Sequence, residues 1–237
     1  TIALIPARLE SKRFPNKLVK KINGIPIILK TFRAALETKL FDEVYVVSGN
    51  NEIIDLIRAE DGLTFKSLKN HASGTDRIAE AAANIDYDIV VNLQGDEPFI
   101  NKLAISDLIK SFNDPDVQIA SLITKFESFD EIENPNNVKV IVDKNNDAIY
   151  FSRLAIPYNS KKIEDFNRHI GVYAFLRDAL SSVRKLLRNH INPVLFCFFC
   201  IFHCNILLVP NSFPISFSSC MVFHRPHKFS QVSAVFS

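Results

Sequence analysis

Between residues 2 and 98 short apolar runs alternate with stretches of helical periodicity, and each run stops at a polar cluster. Residues 2–6 (IALIP) are continuously apolar, as in a strand covered on both faces. Residues 27–40 then place Ile28, Phe32, Ala35 and Leu36 at helical spacing, after the turn chemistry of Gly24-Ile25-Pro26. Residues 43–48 (EVYVVS) read as a second strand closed by Gly49-Asn50-Asn51, 52–60 as a short helix, and 64–68 as a third strand. Ser73 or Thr75 caps a helix running to about residue 83. Residues 88–93 (DIVVNL) have the strongest buried-strand pattern and end in Gln94-Gly95-Asp96-Glu97-Pro98. Such alternation predicts an α/β fold, a mostly parallel, doubly wound sheet with helices on both faces. Ligands in these sheets bind beyond the carboxyl ends of the strands. The polar clusters at 7–17, 70–77 and 94–98 fall at those ends and are expected to converge.

From residue 116 the pattern becomes strand-rich. Residues 117–124, 138–142, 148–151 and 170–175 read as extended, with Asp143-Lys144-Asn145-Asn146 as a hairpin turn. This predicts a smaller lobe over 116–178 that covers the site and contributes to a dimer. The net charge of +2 is spread among acids. That excludes the concentrated basic stripe of a nucleic-acid binder. The apolar start has no basic n-region, so it reads as a strand and not a signal peptide.

The acids divide the chain. All 26 lie at or before Asp178, and residues 179–237 contain none, while all 4 Cys fall in that tail. We therefore separate a domain over 1–178 from an atypical tail over 179–237. A zinc site would use Cys197, Cys200, His203 and Cys204, but these crowd into one run without a second half-site. The apolar run between Pro193 and Pro210 is shorter than a membrane span and contains His203 and Asn205, so no membrane association is expected. The composition favours a tail translated out of frame or from non-coding sequence.

Several residues carry candidate chemistry. Arg8, Lys12, Arg13 and Lys17 follow the first strand closely. Arg holds phosphate oxygens bidentately, so this loop suits a triphosphate. A solvated basic loop is the other reading, and neither a P-loop nor a dinucleotide fingerprint is present. Asp96, at a strand end, suits a metal that bridges phosphates, or else caps a following helix with Pro98 in its first turn. Arg153, in an otherwise apolar strand-like stretch, calls for an anionic partner. His169 and Tyr173 read either as site residues or as structural ones.

The blocks Arg8-x-x-Ser11-x-Arg13-x-Pro15-x-Lys17, His71-Ala72-Ser73-Gly74-Thr75-Asp76-Arg77 and Asn92-Leu93-Gln94-Gly95-Asp96-Glu97-Pro98 resemble the 3-deoxy-manno-octulosonate (Kdo) cytidylyltransferases. So do Asn134–Val140 (NPNNVKV), Tyr150-Phe151-Ser152-Arg153-x-x-Ile156-Pro157-Tyr158 and Arg168-His169-Ile170-Gly171-Val172-Tyr173, in the same order. The resemblance implies a Rossmann-like, GT-A-like nucleotidyltransferase that joins CMP from CTP to Kdo, with Mg²⁺, in the cytoplasm, for lipopolysaccharide biosynthesis. It implies catalytic roles for Arg8, Lys17 and Asp96, and Asp96 as metal ligand. Arg8, Arg13, Lys17, Ser73, Gly74, Thr75, Arg77 and Gln94 are implied to bind nucleotide. Gln94, Arg153, His169 and Tyr173 are implied to bind sugar. The family's closing motif, with a second metal-ligand Asp and much of a homodimer face, has no counterpart in the tail. That makes the dimer doubtful and leaves two alternatives, an impaired nucleotide-binding homologue or an enzyme for another 2-keto acid sugar such as a sialic acid. The 73–77 and 151–157 blocks favour Kdo.

Overall fold

The computed structural model describes residues 1–10, 15–69, 71, 73–189, 206–209 and 219–224. Strand β1 (Ile2–Ala7) is followed by the small hairpin β2 (Lys21–Ile22) and β3 (Ile25–Pro26), and then α1 (Ile27–Thr38). Next come β4 (Glu43–Ser48), α2 (Asn51–Arg58), β5 (Leu63–Lys66), α3 (Gly74–Ala82) and β6 (Ile89–Asn92). The second half holds α4 (Lys102–Lys110), β7 (Val117–Lys125), α5 (Phe129–Glu133), β8 (Lys139–Val142), β9 (Asp147–Ser152), β10 (Asn167–Leu176), α6 (Arg177–Asn189), β11 (Ile206–Val209) and β12 (Ser219–His224).

One 10-stranded sheet runs β5-β4-β1-β6-β10-β7-β12-β11-β9-β8. Strands β5, β4, β1 and β6 are parallel neighbours, and β10 joins β6 antiparallel. Alternation along β1 splits the core between the two faces. Ala3, Ile5 and Ala7 pack with Ile28 and Phe32 of α1, Ile53 and Ile57 of α2, and Ile105 of α4. Ile2 and Leu4 pack with Ile78 and Ala82 of α3 and Leu180 and Val183 of α6. Helices thus cover both faces, as the alternation predicts. The strand-rich segment does not form a sheet of its own: β7 and β10 extend the main sheet. Helix α6 crosses residue 178 and buries Ala179, Leu180 and Val183, so core packing runs past the last acidic residue. Two strands, β11 and β12, lie in the tail and pair with β9 and β7. Cys197, Cys200, His203 and Cys204 lie outside the described residues.

Two local features set the site. The backbone after β6 passes so close to β1 that a Cβ on Gly95 would lie 3.0 Å from the Pro6 carbonyl oxygen, 3.3 Å from Leu18 and 3.4 Å from Ile28. Thr31 Oγ1 of α1 donates to the Gly95 carbonyl at 3.0 Å, fixing that loop from below. The second feature is a bulge in β10. Its register against β7 shifts between Ile170 and Tyr173. Buried Ser121 Oγ donates to the Val172 carbonyl at 2.7 Å, satisfying a group the ladder leaves unpaired.

Candidate active site

A pocket of about 340 Å³ opens at the carboxyl ends of β1 and β6 and the start of α3. It draws on all three polar clusters: Pro6 to Arg8 with Lys17, then His71, Ser73, Gly74 and Arg77, then Gln94, Gly95 and Asp96. Three cations line it and one carboxylate does, which suits a polyanion.

Lys17 heads a 3-10 turn over Lys17–Val19. Its Nζ is ion-paired with Asp96 Oδ2 across the mouth of the pocket. Asp96 caps no helix. The next helix, α4, starts at Lys102 and is capped by Asn101 Oδ1, which accepts from Leu103 N at 2.9 Å. The carboxylate of Asp96 is left facing the pocket.

Helix α3 begins at the pocket wall. Ser73 Oγ accepts from Asp76 N at 3.1 Å, which makes Ser73 and not Thr75 the cap. The free N–H groups of this first turn, beside Gly74, favour an anion. Arg77, only 8% exposed, lines the same wall. Burial and the neighbouring Arg8 charge both pull its pKa below the usual guanidinium value. Among the described residues the side chains of Arg8 and Arg77 donate no hydrogen bond and form no ion pair. Thr75 does not line the pocket, and Arg13 lies outside the described residues.

Gln94 links the pocket to β10, since its Nε2 donates to the Gly171 carbonyl at 3.0 Å, at the bulge. Arg153, His169 and Tyr173 do not line the pocket. Tyr173 pairs in register with Asn92, and its ring lies 5.3 Å from that of His169 and 6.0 Å from that of Phe175. His169 also packs edge-on against Phe151 at 5.2 Å. Removal from water pushes its pKa down to about 4, so its ring is neutral near pH 7. With the Ser121 hydroxyl hydrogen spent on Val172, Nε2 of His169 donates to Ser121 Oγ at 3.0 Å. Arg153 departs from expectation: it follows β9 as an exposed side chain, and its Nη1 donates to the Pro135 carbonyl at 2.8 Å. The desolvation argument for an anionic partner therefore does not apply to it. Its backbone is held by buried Lys139, whose Nζ donates to the carbonyls of Arg153 at 2.9 Å and of Asn134 and Asn137 at 3.0 Å.

His71, to which the sequence pattern assigns no separate role, lines the pocket, and its ring is held between two acids of α3. The signal available was the i, i+4 spacing of Asp76 and Glu80.

A divalent metal can be tested against this donor set. Among the described residues no group of three or more His, Cys, Asp or Glu side chains is arranged to hold a metal ion. A single pocket carboxylate, Asp96, fits Mg²⁺, which commonly takes one or two carboxylates and completes its shell with phosphate oxygens and water.

A cationic, glycine-lined pocket at the strand ends of a doubly wound sheet defines a nucleotide-binding α/β protein. Residues 2–190 match the cytidylyltransferase family model. The chain is 50% identical over 190 residues to a 3-deoxy-manno-octulosonate cytidylyltransferase of Flavobacterium johnsoniae, covering 78% of each chain. It is 47% identical over 195 residues to the protein of that name from Christiangramia forsetii, covering 80% of this chain and 79% of the relative. Among solved structures, a CMP:2-keto-3-deoxy-manno-octonic acid synthetase complexed with CTP aligns with a TM-score of 0.72 at 35% identity, covering 78% of this chain and 77% of that one. A 4-diphosphocytidyl-2C-methyl-D-erythritol synthase from Anaerococcus prevotii, at 15% identity and a TM-score of 0.57, shares the fold. The chain belongs to the cytidylyltransferase family, among the 3-deoxy-manno-octulosonate cytidylyltransferases.

Proposed function

We propose that this chain transfers CMP from CTP to the anomeric hydroxyl of Kdo, releasing diphosphate, and so supplies an activated sugar for lipopolysaccharide assembly. The observation that carries this reading is the convergence of Arg8, Lys17, Arg77 and Asp96, from three separate segments, on one pocket, in a chain of this family. Arg8, Arg77 and Lys17 offer charge to the triphosphate, with Arg13 from the same loop, and Ser73, Gly74 and Thr75 form the anion-binding start of α3. Gln94 stands between this pocket and β10, where Tyr173, His169 and the more distant Arg153 belong to the sugar side. The sugar oxygen attacks the α-phosphorus, the bond to the bridging oxygen breaks, and the hydroxyl proton is lost to solvent. Catalysis is then placement and charge neutralisation, with no covalent enzyme intermediate. Asp96 is the residue that would hold Mg²⁺, whose charge would neutralise phosphate oxygens. Cytoplasmic location belongs to the same proposal and rests on family membership alone. A homodimer does too, and the departing tail argues against its full interface.

A second reading, a nucleotide-binding homologue with impaired turnover, is favoured by one observation: the family match stops at residue 190, close to where acidic residues cease. Two measurements separate the readings. Calorimetric CTP binding tests the pocket. Diphosphate release from CTP and Mg²⁺ with Kdo, and then with a sialic acid, tests the transfer. Binding with slow, Kdo-dependent release is expected. Absence of CTP binding, or release with sialic acid alone, refutes the main reading.

A further inference from the structure

Arg77 poses a problem of charge. It is buried at the back of the pocket, and a buried guanidinium ordinarily recruits a carboxylate. Glu10 and Glu80 are the two acids whose charges act on it. Both are engaged elsewhere. Glu10 Oε1 accepts from Asn50 Nδ2 at 3.1 Å. Glu80 Oε2 accepts from Ser67 Oγ at 2.6 Å and faces His71 Nε2 at 2.7 Å. The other ring nitrogen of His71 faces Asp76 Oδ2 at 2.8 Å, and the side chain is 2% exposed. Burial raises the Glu80 pKa, but the hydrogen bonds from Ser67 and His71 outweigh it and hold the carboxyl below its usual range. The ring of His71 thus bridges the two side chains of α3, one at each nitrogen.

We propose that His71 is a positioning residue for the nucleotide: by engaging Glu80 and Asp76 it keeps the acids of α3 away from Arg77 and reserves that guanidinium, with Arg8, for the phosphates. The inference rests on the CTP reading above. Its physical basis is helix geometry. Glu80 lies three residues after Arg77 on α3, a spacing at which opposite charges meet on one helix face. Asp76 and Glu80 are four apart and repel. His71 relieves that repulsion and holds back an acid that would compete with an anion for Arg77. Without it, Glu80 keeps the Ser67 hydroxyl and the Leu68 backbone N–H but loses its ring partner, and is drawn one turn back to Arg77, cancelling the charge the triphosphate needs.

The test is a rescue experiment on the full chain, read by calorimetric CTP affinity and by the separation of KM from kcat. His71→Gln is expected to weaken CTP binding about tenfold or more, raising KM for CTP with kcat changed less than about threefold. Adding Glu80→Gln removes the competing charge and is expected to restore affinity to within about threefold of the wild type, a recovery that mere loss of structure does not give. Unchanged affinity in H71Q, or a double variant as weak as H71Q, overturns the proposal. Should H71Q fail to fold, H71Q/E80Q is compared with E80Q: equal CTP affinity supports the proposal and a tenfold weaker double variant overturns it. A wild-type chain that binds no CTP removes the nucleotide reading and this inference together. Binding by the wild type without rescue removes the inference alone.

Discussion

Asp96 and His169 carry titratable groups of opposite consequence. Asp96 is the single acid among the described residues lining the pocket, paired with Lys17. Asp96→Asn should cost several kcal/mol of transition-state stabilisation, about 10²- to 10³-fold in turnover. Metal-free CTP affinity should hold or improve, because a negative charge has left the pocket. Steady-state kinetics and calorimetry check the two halves, and a variant that keeps wild-type turnover removes Asp96 from the reaction. His169 bears on stability. Its pKa is near 4 in the folded protein, against about 6.5 when unfolded. Between those values the unfolded chain holds the extra proton, so stability rises with pH there. The contribution is complete above about pH 6.5 and is lost as pH falls to about 4, up to about 3 kcal/mol in all. His169→Gln should flatten the dependence over that window in urea unfolding curves. A slope unchanged from wild type would assign the pH sensitivity elsewhere. The charged residues that line the pocket were legible because charged types cluster in sequence next to strand ends. The environment of His169 was not, because it depends on Ser121 of β7 and Phe151 of β9, which are distant in sequence.

Elements explain why the pocket is where it is. The alternation of β1 sorts side chains between two helical layers, and because both layers are apolar the sequence shows it as an unbroken apolar run. The Ser73 cap of α3 was readable too, as one of two candidates. The start of α4 was not: Pro98 suggested a helix there, whereas Asn101, three residues on, supplies the side-chain oxygen that accepts from Leu103 and Ala104. The β10 bulge was hidden for a stronger reason, since a register shift is a relation between two strands and neither sequence states it alone. Close approach of β6 to β1 gives an element-scale prediction. Gly95→Ala places a methyl 3.0 Å from the Pro6 carbonyl and in the space of Leu18 and Ile28. Relief requires the loop carrying Gln94 and Asp96 to move outward. We expect a loss of about 1–3 kcal/mol in stability, together with a fall in kcat larger than the change in CTP affinity. Thermal melts and kinetics on the same preparation test this, and a variant with native Tm and native kcat contradicts the packing argument. Ser73→Ala, by contrast, should cost about 1 kcal/mol and weaken CTP binding modestly, since it loosens the turn facing the phosphates.

At the scale of the molecule the question is how far the family's architecture extends along this chain. Strands and helices from β1 through α6 build both core layers and the nucleotide pocket, and the family match covers 2–190. Beyond that point the sequence has no acid to offer a metal or a cationic sugar-binding partner. All pocket-lining residues lie at or before Asp96, so nucleotide binding and turnover should respond separately to the tail. Replacing residues 191–237 with the corresponding segment of the Flavobacterium johnsoniae relative, whose chain is 50% identical over the matched part, isolates that effect. The chimera should bind CTP within about threefold of this chain, because no pocket-lining residue changes. Its kcat should rise at least about tenfold, equivalent to about 1.4 kcal/mol of transition-state stabilisation, if the missing segment supplies groups that act only once the sugar is bound. A folded chimera with unchanged kcat would place the catalytic machinery wholly within 2–190, and the tail would then be an appendage of a complete enzyme. A chimera that gains CTP affinity instead would mean that the closing segment completes the nucleotide pocket itself, which the positions of Arg8, Lys17, Arg77 and Asp96 argue against.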